Sequence, residues 1–136
     1  MLAEEVKKKL IDRIVQEINP AFIMLFGSFA KGTNHAESDI DLAFFSAKQL
    51  SSYDRFSLAS ELAMISGYEV DLVDINQIDT VFNMQIFEQG MPIYIQDSNE
   101  FTRQRMRAYS MYATFSEQRA PIIDAIKNRG SVFGDE

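Results

Sequence analysis

Apolar residues recur along this chain with two different periods. In residues 2–18 they are spaced three and four apart, which predicts an amphipathic helix that ends before Pro20. The run FIMLF at 22–26 is short, apolar and followed by Gly27, and residues 40–45 form a second such run. Both runs are predicted strands, because they are too short for buried helices and rich in aromatic and β-branched residues.

The alternation of helices and strands continues in the second half of the chain. Helical spacing in residues 51–66 gives way, at 69–75, to a polar and apolar alternation that predicts a strand with one buried face. Residues 77–88 return to helical spacing. The run 91–95 is a further predicted strand, which Pro92 places at a sheet edge or at the start of the strand.

A long C-terminal helix is predicted from residue 98 onward. Ser98 or Asn99 can cap it, and Pro121 should kink or restart it. Residues 129–136 are predicted to be a frayed tail. Helices interleaved with strands predict a small α/β or α+β domain.

Composition narrows the function classes. The chain has 136 residues, a formal net charge of −7 and no cysteine, which excludes disulfide scaffolds and cysteine-based zinc sites. The acidity disfavours a protein that binds a nucleic-acid backbone, so we expect a partner that is small, metal-bridged or basic. The N-terminus has no continuous apolar run, which predicts neither a signal peptide nor a membrane span, and we expect a cytoplasmic protein.

One segment carries the pattern of a phosphate-binding site. Gly27 and Ser28 follow the first predicted strand, and an Asp-x-Asp, Asp39 and Asp41, comes after the ten intervening residues 29–38. Glycine allows a sharp backbone turn, and Ser28 then begins a short helical turn. The amide groups of such a turn attract anions, so a phosphate can be bound by N–H groups and the Ser28 hydroxyl.

Asp39 and Asp41 lie two residues apart on a predicted strand and therefore project from the same face. Two adjacent carboxylates repel each other without a cation, and Mg²⁺ accepts one or two carboxylates together with phosphate oxygens. Asp71, on the strand at 69–75, is the candidate for a third ligand. Asp74 would point the other way unless a bulge intervened.

The segments GSFAKG, SDIDL and EVDLV together resemble the polymerase-β-type nucleotidyltransferase superfamily. The small size resembles its minimal nucleotidyltransferase (MNT) branch, and the resemblance covers about residues 5–95. It implies a polymerase-β-like fold with a small mixed sheet flanked by helices, ATP as donor and Mg²⁺ held by an acidic triad. MNT proteins are often antitoxins that transfer AMP to a tyrosine of a HEPN-domain ribonuclease toxin and silence it.

The resemblance also implies roles for single residues. Gly27 and Ser28 would bind the triphosphate, and Asp39 and Asp41 would hold the metal. Asp71 would complete the triad and serve as general base. Lys31 stands where many relatives have arginine. The ammonium group of lysine is a point charge, whereas the guanidinium group of arginine can donate two parallel hydrogen bonds to a phosphate. Lys31 is therefore either a phosphate ligand or a surface charge.

Two further features of the sequence allow more than one role. His35, the single histidine, is expected to be a solvated loop residue rather than a general base. We expect residues 1–97 to form the nucleotidyltransferase domain and 98–136 a helical extension that packs on it or on a partner. The extension has an aromatic and methionine-rich stretch that suits either role, formed by Met106, Tyr109, Met111, Tyr112 and Phe115.

Two alternative functions stay open at this point. The acceptor of the nucleotide could be a small molecule, as in aminoglycoside nucleotidyltransferases, which usually carry an additional helical domain. The chain could also neutralise a basic partner by binding alone, without catalysis. The acidity and the small size favour a protein acceptor over DNA or tRNA.

Overall fold

The structure of the protein is a computed structural model that describes residues 2–128, with side chains as far as residue 116. The predicted frayed tail at 129–136 lies outside the described residues. The elements, in chain order, are α1 (Glu4–Ile18), β1 (Phe22–Phe26), α2 (Gly27–Lys31), β2 (Ile40–Phe45), α3 (Ser52–Ser66), β3 (Val70–Asp74), a 3₁₀ turn (Ile75–Gln77), α4 (Thr80–Gln89), β4 (Met91–Ile95) and α5 (Ser98–Asn128).

The four strands form one mixed sheet in the order β3-β2-β1-β4. Strand β1 is antiparallel to both β2 and β4, whereas β2 and β3 are parallel. This confirms the predicted mixed sheet flanked by helices and the long C-terminal helix. Strand β4 lies at an edge, as Pro92 near its start predicted.

Helices cover both faces of the sheet. Ile23 and Leu25 belong to a core shared with residues of α1 and α3, whereas their neighbours Phe22 and Met24 belong to a second core with residues of α4 and α5. Strands covered on both faces have continuous apolar runs, which explains why β1 contains no polar residue.

The prediction that the 69–75 strand buries only one face is wrong. Leu72 and Val73 point to opposite faces, and both are buried, Leu72 in the first core and Val73 in the second. The prediction of one exposed face was based on the polar residues Glu69 and Asp71. They lie at the start of the strand, beyond the helices that cover its other end.

Side chains cap most of the helices. The Ser51 hydroxyl accepts the Asp54 N–H in front of α3, and Asp79 caps α4, which begins three residues after its predicted start because the 3₁₀ turn comes first. The predicted caps Ser98 and Asn99 are wrong. The carboxylate of Asp97 accepts the Glu100 N–H at 3.1 Å, since a charged acceptor is favourable at the positive end of a helix.

Helix α5 runs past Pro121 without a break in its assigned span, Ser98–Asn128. This span excludes a restart of the helix at Pro121, and the alternative, a kink, stays a prediction. A proline removes a single backbone N–H, and the hydrogen bonds on either side of it continue the helix. Among residues 2–128, no helix is both long and apolar enough to cross a membrane.

The second core depends on Phe22. Its side chain is fully buried and contacts three other aromatic rings, those of Phe45, Phe87 and Phe101, at centroid distances of 5.7, 5.9 and 5.1 Å. Phe22 therefore joins β1 to β2, α4 and α5.

Replacing Phe22 with alanine should lower the free energy of unfolding by about 3–5 kcal/mol, because it removes a buried ring and leaves a cavity. Urea denaturation followed by circular dichroism measures this change. Phe56→Ala is the matched control, since that ring is 71% exposed and its loss should change stability by less than about 1 kcal/mol. Equal losses in the two variants would contradict the assignment of Phe22 to the core.

Candidate active site

The topology brings the predicted site residues to one end of the sheet. Because β1 is antiparallel to β2, and β2 is parallel to β3, the end of β1 lies beside the starts of β2 and β3. Gly27 and Ser28 follow β1, Asp39 immediately precedes β2, and Asp41 pairs in register with Asp71 of β3. All five residues therefore lie at the same end of the sheet, as the sequence predicted.

Gly27 fixes the position of Asp41. Its φ is +73°, and a Cβ atom built on it would overlap the Oδ2 atom of Asp41 and lie 3.0 Å from the Cγ atom. Both the left-handed backbone and the missing side chain are thus required at this position. The two halves of the motif, which are separated by a loop in sequence, are in direct contact in the fold.

Asp41 has an unusual environment for a carboxylate. It is half-buried between Phe26 and Asp71, its register partners on β1 and β3. The ring of Phe26 is itself held edge-on against Phe82 of α4, at a centroid distance of 5.7 Å. Burial first, then the charges of Asp71 and Asp39, raise the pKa of Asp41 to about 6.

The oxygen donors at this end of the sheet suit a hard divalent cation. Among the side chains of residues 2–116, no three ligating groups already converge as a finished metal site. The carboxylates of Asp39, Asp41 and Asp71 are nevertheless close enough to repel one another, which contributes to the raised pKa of Asp41. A bound cation would remove that repulsion, and carboxylates with phosphate oxygens are the ligands that Mg²⁺ prefers. The donor set therefore fits Mg²⁺.

Helix α2 presents backbone amides beside these carboxylates. No side chain caps its N-terminus, where Phe26 has extended backbone, so its first amides lack a side-chain acceptor. Phe29 anchors this helix to the rest of the domain. Its ring is buried and packs edge-on against the Tyr68 ring, with the two centroids 5.0 Å apart. Lys31 is exposed in its last turn. Tyr68 was not singled out from the sequence, where it is an isolated aromatic after Gly67.

The loop before β2 is ordered by its own hydrogen bonds. The His35 N–H donates to Ser38 Oγ at 2.9 Å, and the Ser38 N–H donates to the His35 carbonyl at 3.0 Å. The His35 Nδ1 atom accepts the Glu37 N–H at 3.2 Å. His35 is exposed, so it lies in the loop as predicted, and its ring stabilises the turn that leads into Asp39. This role was not predicted from the sequence, because histidine is not among the residues that dominate turns.

The comparisons with known proteins agree with this geometry. The family described as "Polymerase beta, Nucleotidyltransferase" matches residues 8–99, which is more than half of the chain. The chain belongs to this nucleotidyltransferase family. The matched segment contains all the candidate site residues and ends at the beginning of α5.

Individual relatives of this nucleotidyltransferase are also similar over most of their length. Protein adenylyltransferase MntA of Shewanella oneidensis is 38% identical over 106 residues, 76% of this chain and 74% of MntA. A crystal structure of a toxin-antitoxin with AMP-PNP superposes with a TM-score of 0.80 at 33% identity, covering 89% of this chain and 98% of the other. The structure of a tri-AMPylated Shewanella oneidensis HEPN toxin in complex with MNT antitoxin superposes with a TM-score of 0.77 at 29% identity, covering 91% of this chain and 98% of the other.

The C-terminal helix of the nucleotidyltransferase packs on the sheet domain through one side. Ala108 is buried and Tyr109 packs against the second core, whereas Met106 and Met111 are exposed on the outer side. Arg105 lies over the Tyr109 ring, 5.7 Å from its centroid. One side of the helix is thus core, and the other faces solvent.

Gly27→Ala should disrupt the site, and Gly32→Ala should not. Both glycines have φ near +74°, so alanine costs about 1–2 kcal/mol of backbone strain at either position. Only at Gly27 would the new methyl group displace the Asp41 carboxylate, since nothing lies within 4 Å of a Cβ at Gly32. By calorimetry with MgCl₂ and a non-hydrolysable ATP analogue, we expect Gly27→Ala to lower affinity by about tenfold or more.

Gly32→Ala should bind the same analogue within about twofold of the unmodified protein. Similar losses of affinity in both variants would show that backbone strain alone, rather than the contact with Asp41, explains the requirement for glycine.

The raised pKa of Asp41 predicts that ionising this side chain destabilises the metal-free fold. Between its ordinary value and about 6, the folded state binds more protons than the unfolded state, so the free energy of unfolding falls as pH rises. Asp41→Asn removes the effect. In urea denaturation without divalent ions, this variant should be more stable than the unmodified protein near pH 8, and the difference should shrink towards about pH 4.

Asp12→Asn is the control for this titration, because Asp12 is exposed on α1 and its loss removes the same formal charge. A difference that does not change with pH, or that is equally large for Asp12→Asn, would contradict the environment assigned to Asp41.

Proposed function

We propose that this protein is a Mg²⁺-dependent adenylyltransferase that transfers AMP from ATP to a tyrosine hydroxyl of a HEPN ribonuclease toxin in the cytoplasm, and thereby acts as its antitoxin. The observation that carries this proposal is the packing of the Gly27 turn against Asp41, beside Asp71. This arrangement places a phosphate-binding turn next to a group of carboxylates. Two relatives also support the proposal: one is named a protein adenylyltransferase, and the other is described as an MNT antitoxin.

In this proposal the nucleotide lies over the start of α2. The amide groups of Gly27 and Ser28 and the Ser28 hydroxyl hold the β- and γ-phosphates, and Lys31 adds a positive charge at the other end of α2. AMP-PNP in a structure similar to this chain supports an ATP site in the fold.

Asp39, Asp41 and Asp71 would hold Mg²⁺, which when bound neutralises phosphate charge and lowers the pKa of the attacking hydroxyl. The acceptor oxygen attacks the α-phosphorus in line and forms the new O–P bond. The bond between the α-phosphorus and the bridging oxygen breaks, and pyrophosphate leaves. The proton of the hydroxyl passes to the exposed carboxylate of Asp71. Catalysis is then mainly positioning and charge neutralisation.

We further propose the division of labour expected from the sequence. Residues 1–97 act as the nucleotidyltransferase domain and residues 98–136 as a helical extension that serves both the domain and the partner. Phe101 supports the first role by its contacts with Phe22 and Phe87. Met106, which is 66% exposed, supports the second, since methionine is common on adaptable binding surfaces.

The test is transfer of labelled AMP from ATP to the purified HEPN partner in the presence of MgCl₂. We expect the unmodified protein to label the partner and Asp39→Asn or Asp41→Asn to lower the rate by about 100-fold or more, since each removes a metal ligand. Asp12→Asn is the charge-matched control and should retain activity. Circular dichroism establishes that each variant is folded.

Two outcomes would overturn the proposal in different ways. Full neutralisation of the toxin by Asp39→Asn and Asp41→Asn, without label in any sample, would show that binding alone silences it. Label on an aminoglycoside and never on protein would assign a small-molecule acceptor.

A further inference from the structure

Helix α2, which carries the candidate phosphate-binding turn, is attached to the domain mainly through one side chain. Of its five residues, Gly27–Lys31, Phe29 alone is buried. A helix of this length is not stable by itself, so its position depends on tertiary packing. No side chain caps its N-terminus. The packing of Phe29 is therefore a main determinant of where the amide groups of Gly27 and Ser28 lie.

Tyr68 is the aromatic partner of Phe29. The two rings meet edge to face, with an angle of 79° between their planes. Such a contact adds to the stabilisation from apolar burial and favours one orientation of the rings. Phe29 is a buried member of the first core, and Tyr68 is partly buried and packs against that core. Phe29 therefore rests on Tyr68, two residues before the start of β3.

The backbone around Tyr68 is fixed on both sides. Ser66 is the last residue of α3, and its hydroxyl oxygen accepts the Tyr68 N–H at 3.2 Å. On the other side, the Glu69 carbonyl accepts the N–H of Ile40, the first residue of β2, at 2.8 Å. Ile40 directly follows Asp39. Tyr68 is thus held between the end of α3 and the start of the strand that carries the carboxylates.

The Tyr68 segment therefore connects the two halves of the candidate site. Its ring supports α2 through Phe29, and its backbone is linked to β2 beside Asp39. Tyr68 also lines, together with Asp39, a cleft of about 460 Å³ between the end of α3 and the loop before β2. Removal of the ring would extend this cleft towards Phe29 and leave α2 without its support.

We propose that Tyr68 is a positioning residue for the triphosphate of the nucleotide. This inference rests on the proposed function. Tyr68 acts through Phe29: its ring keeps Phe29 in place, and Phe29 keeps the turn at Gly27 and Ser28 against Asp41. Hydrogen bonds to a phosphate depend on distance and direction, so a small displacement of this turn weakens them.

Tyr68→Ala tests this role through the affinities for two nucleotides, measured by NMR titration with MgCl₂ and without toxin. A non-hydrolysable ATP analogue has the β- and γ-phosphates that the turn would hold, whereas AMP lacks both. We expect Tyr68→Ala to weaken binding of the analogue by about tenfold and binding of AMP by less than about twofold. Tyr68→Phe keeps the ring and should bind both nucleotides like the unmodified protein. A general loss of structure would weaken both nucleotides equally.

Tyr94→Ala is the matched control. Tyr94 is also a partly buried tyrosine packed against the first core, but it pairs with Ile23 on β1, towards the other end of the sheet. Its loss should leave the affinity for the ATP analogue unchanged. Circular dichroism establishes that each variant is folded. If Tyr68→Ala does not fold, Tyr68→Leu fills the space without a planar ring and should show the same selective loss.

Nucleotide binding and AMP transfer separate the two proposals. If no AMP reaches the toxin but Tyr68→Ala selectively loses the ATP analogue, the proposed function fails and the positioning role stands. If transfer occurs and Tyr68→Ala binds the analogue like Tyr94→Ala, or weakens both nucleotides equally, the positioning role is wrong and the function stands. A loss in Tyr68→Phe as large as in Tyr68→Ala would also contradict the role of the ring. An unmodified protein that binds neither nucleotide would contradict both proposals.

Discussion

The active end of this protein depends on one close approach, between the backbone at Gly27 and the carboxylate of Asp41. It joins the turn after β1 to the acidic start of β2, and any side chain at Gly27 would separate them. The pairing of β2 with β3 then adds Asp71 beside Asp41. The candidate phosphate-binding turn and three carboxylates are thus held at one end of the sheet by backbone geometry.

Because helices cover both faces of the sheet, the carboxylate of Asp41 is partly buried, which disfavours its ionised form. Because α4 and α5 cover the face that carries Asp41, its carboxylate lies against Phe26 and away from much of the solvent, and its pKa rises to about 6. Such a carboxylate is unfavourable in the empty protein and favourable when a cation is bound. Strain that a ligand relieves is a common property of functional sites.

Much of this arrangement could be predicted from the sequence, because it depends on local signals. Glycines and periodicity predicted most of the strands and helices. Asp39 was predicted to lie on the second strand with Asp41, but it immediately precedes β2. The contact between Gly27 and Asp41 could not be predicted, since it depends on strand register. The burial of Val73 was missed for a similar reason, as the helix that covers it comes later in the chain.

The central claim is that the carboxylates around Asp41 are arranged for a cation bound with nucleotide. Carbon-13 NMR of the Asp41 carboxyl group, titrated with pH, tests it most directly. Without divalent ions, the pKa should be about 6. With MgCl₂ and a non-hydrolysable ATP analogue, it should fall well below the ordinary value of about 4 for an aspartate, because the cation favours the ionised form. A pKa that stays near 6 under both conditions would contradict the account.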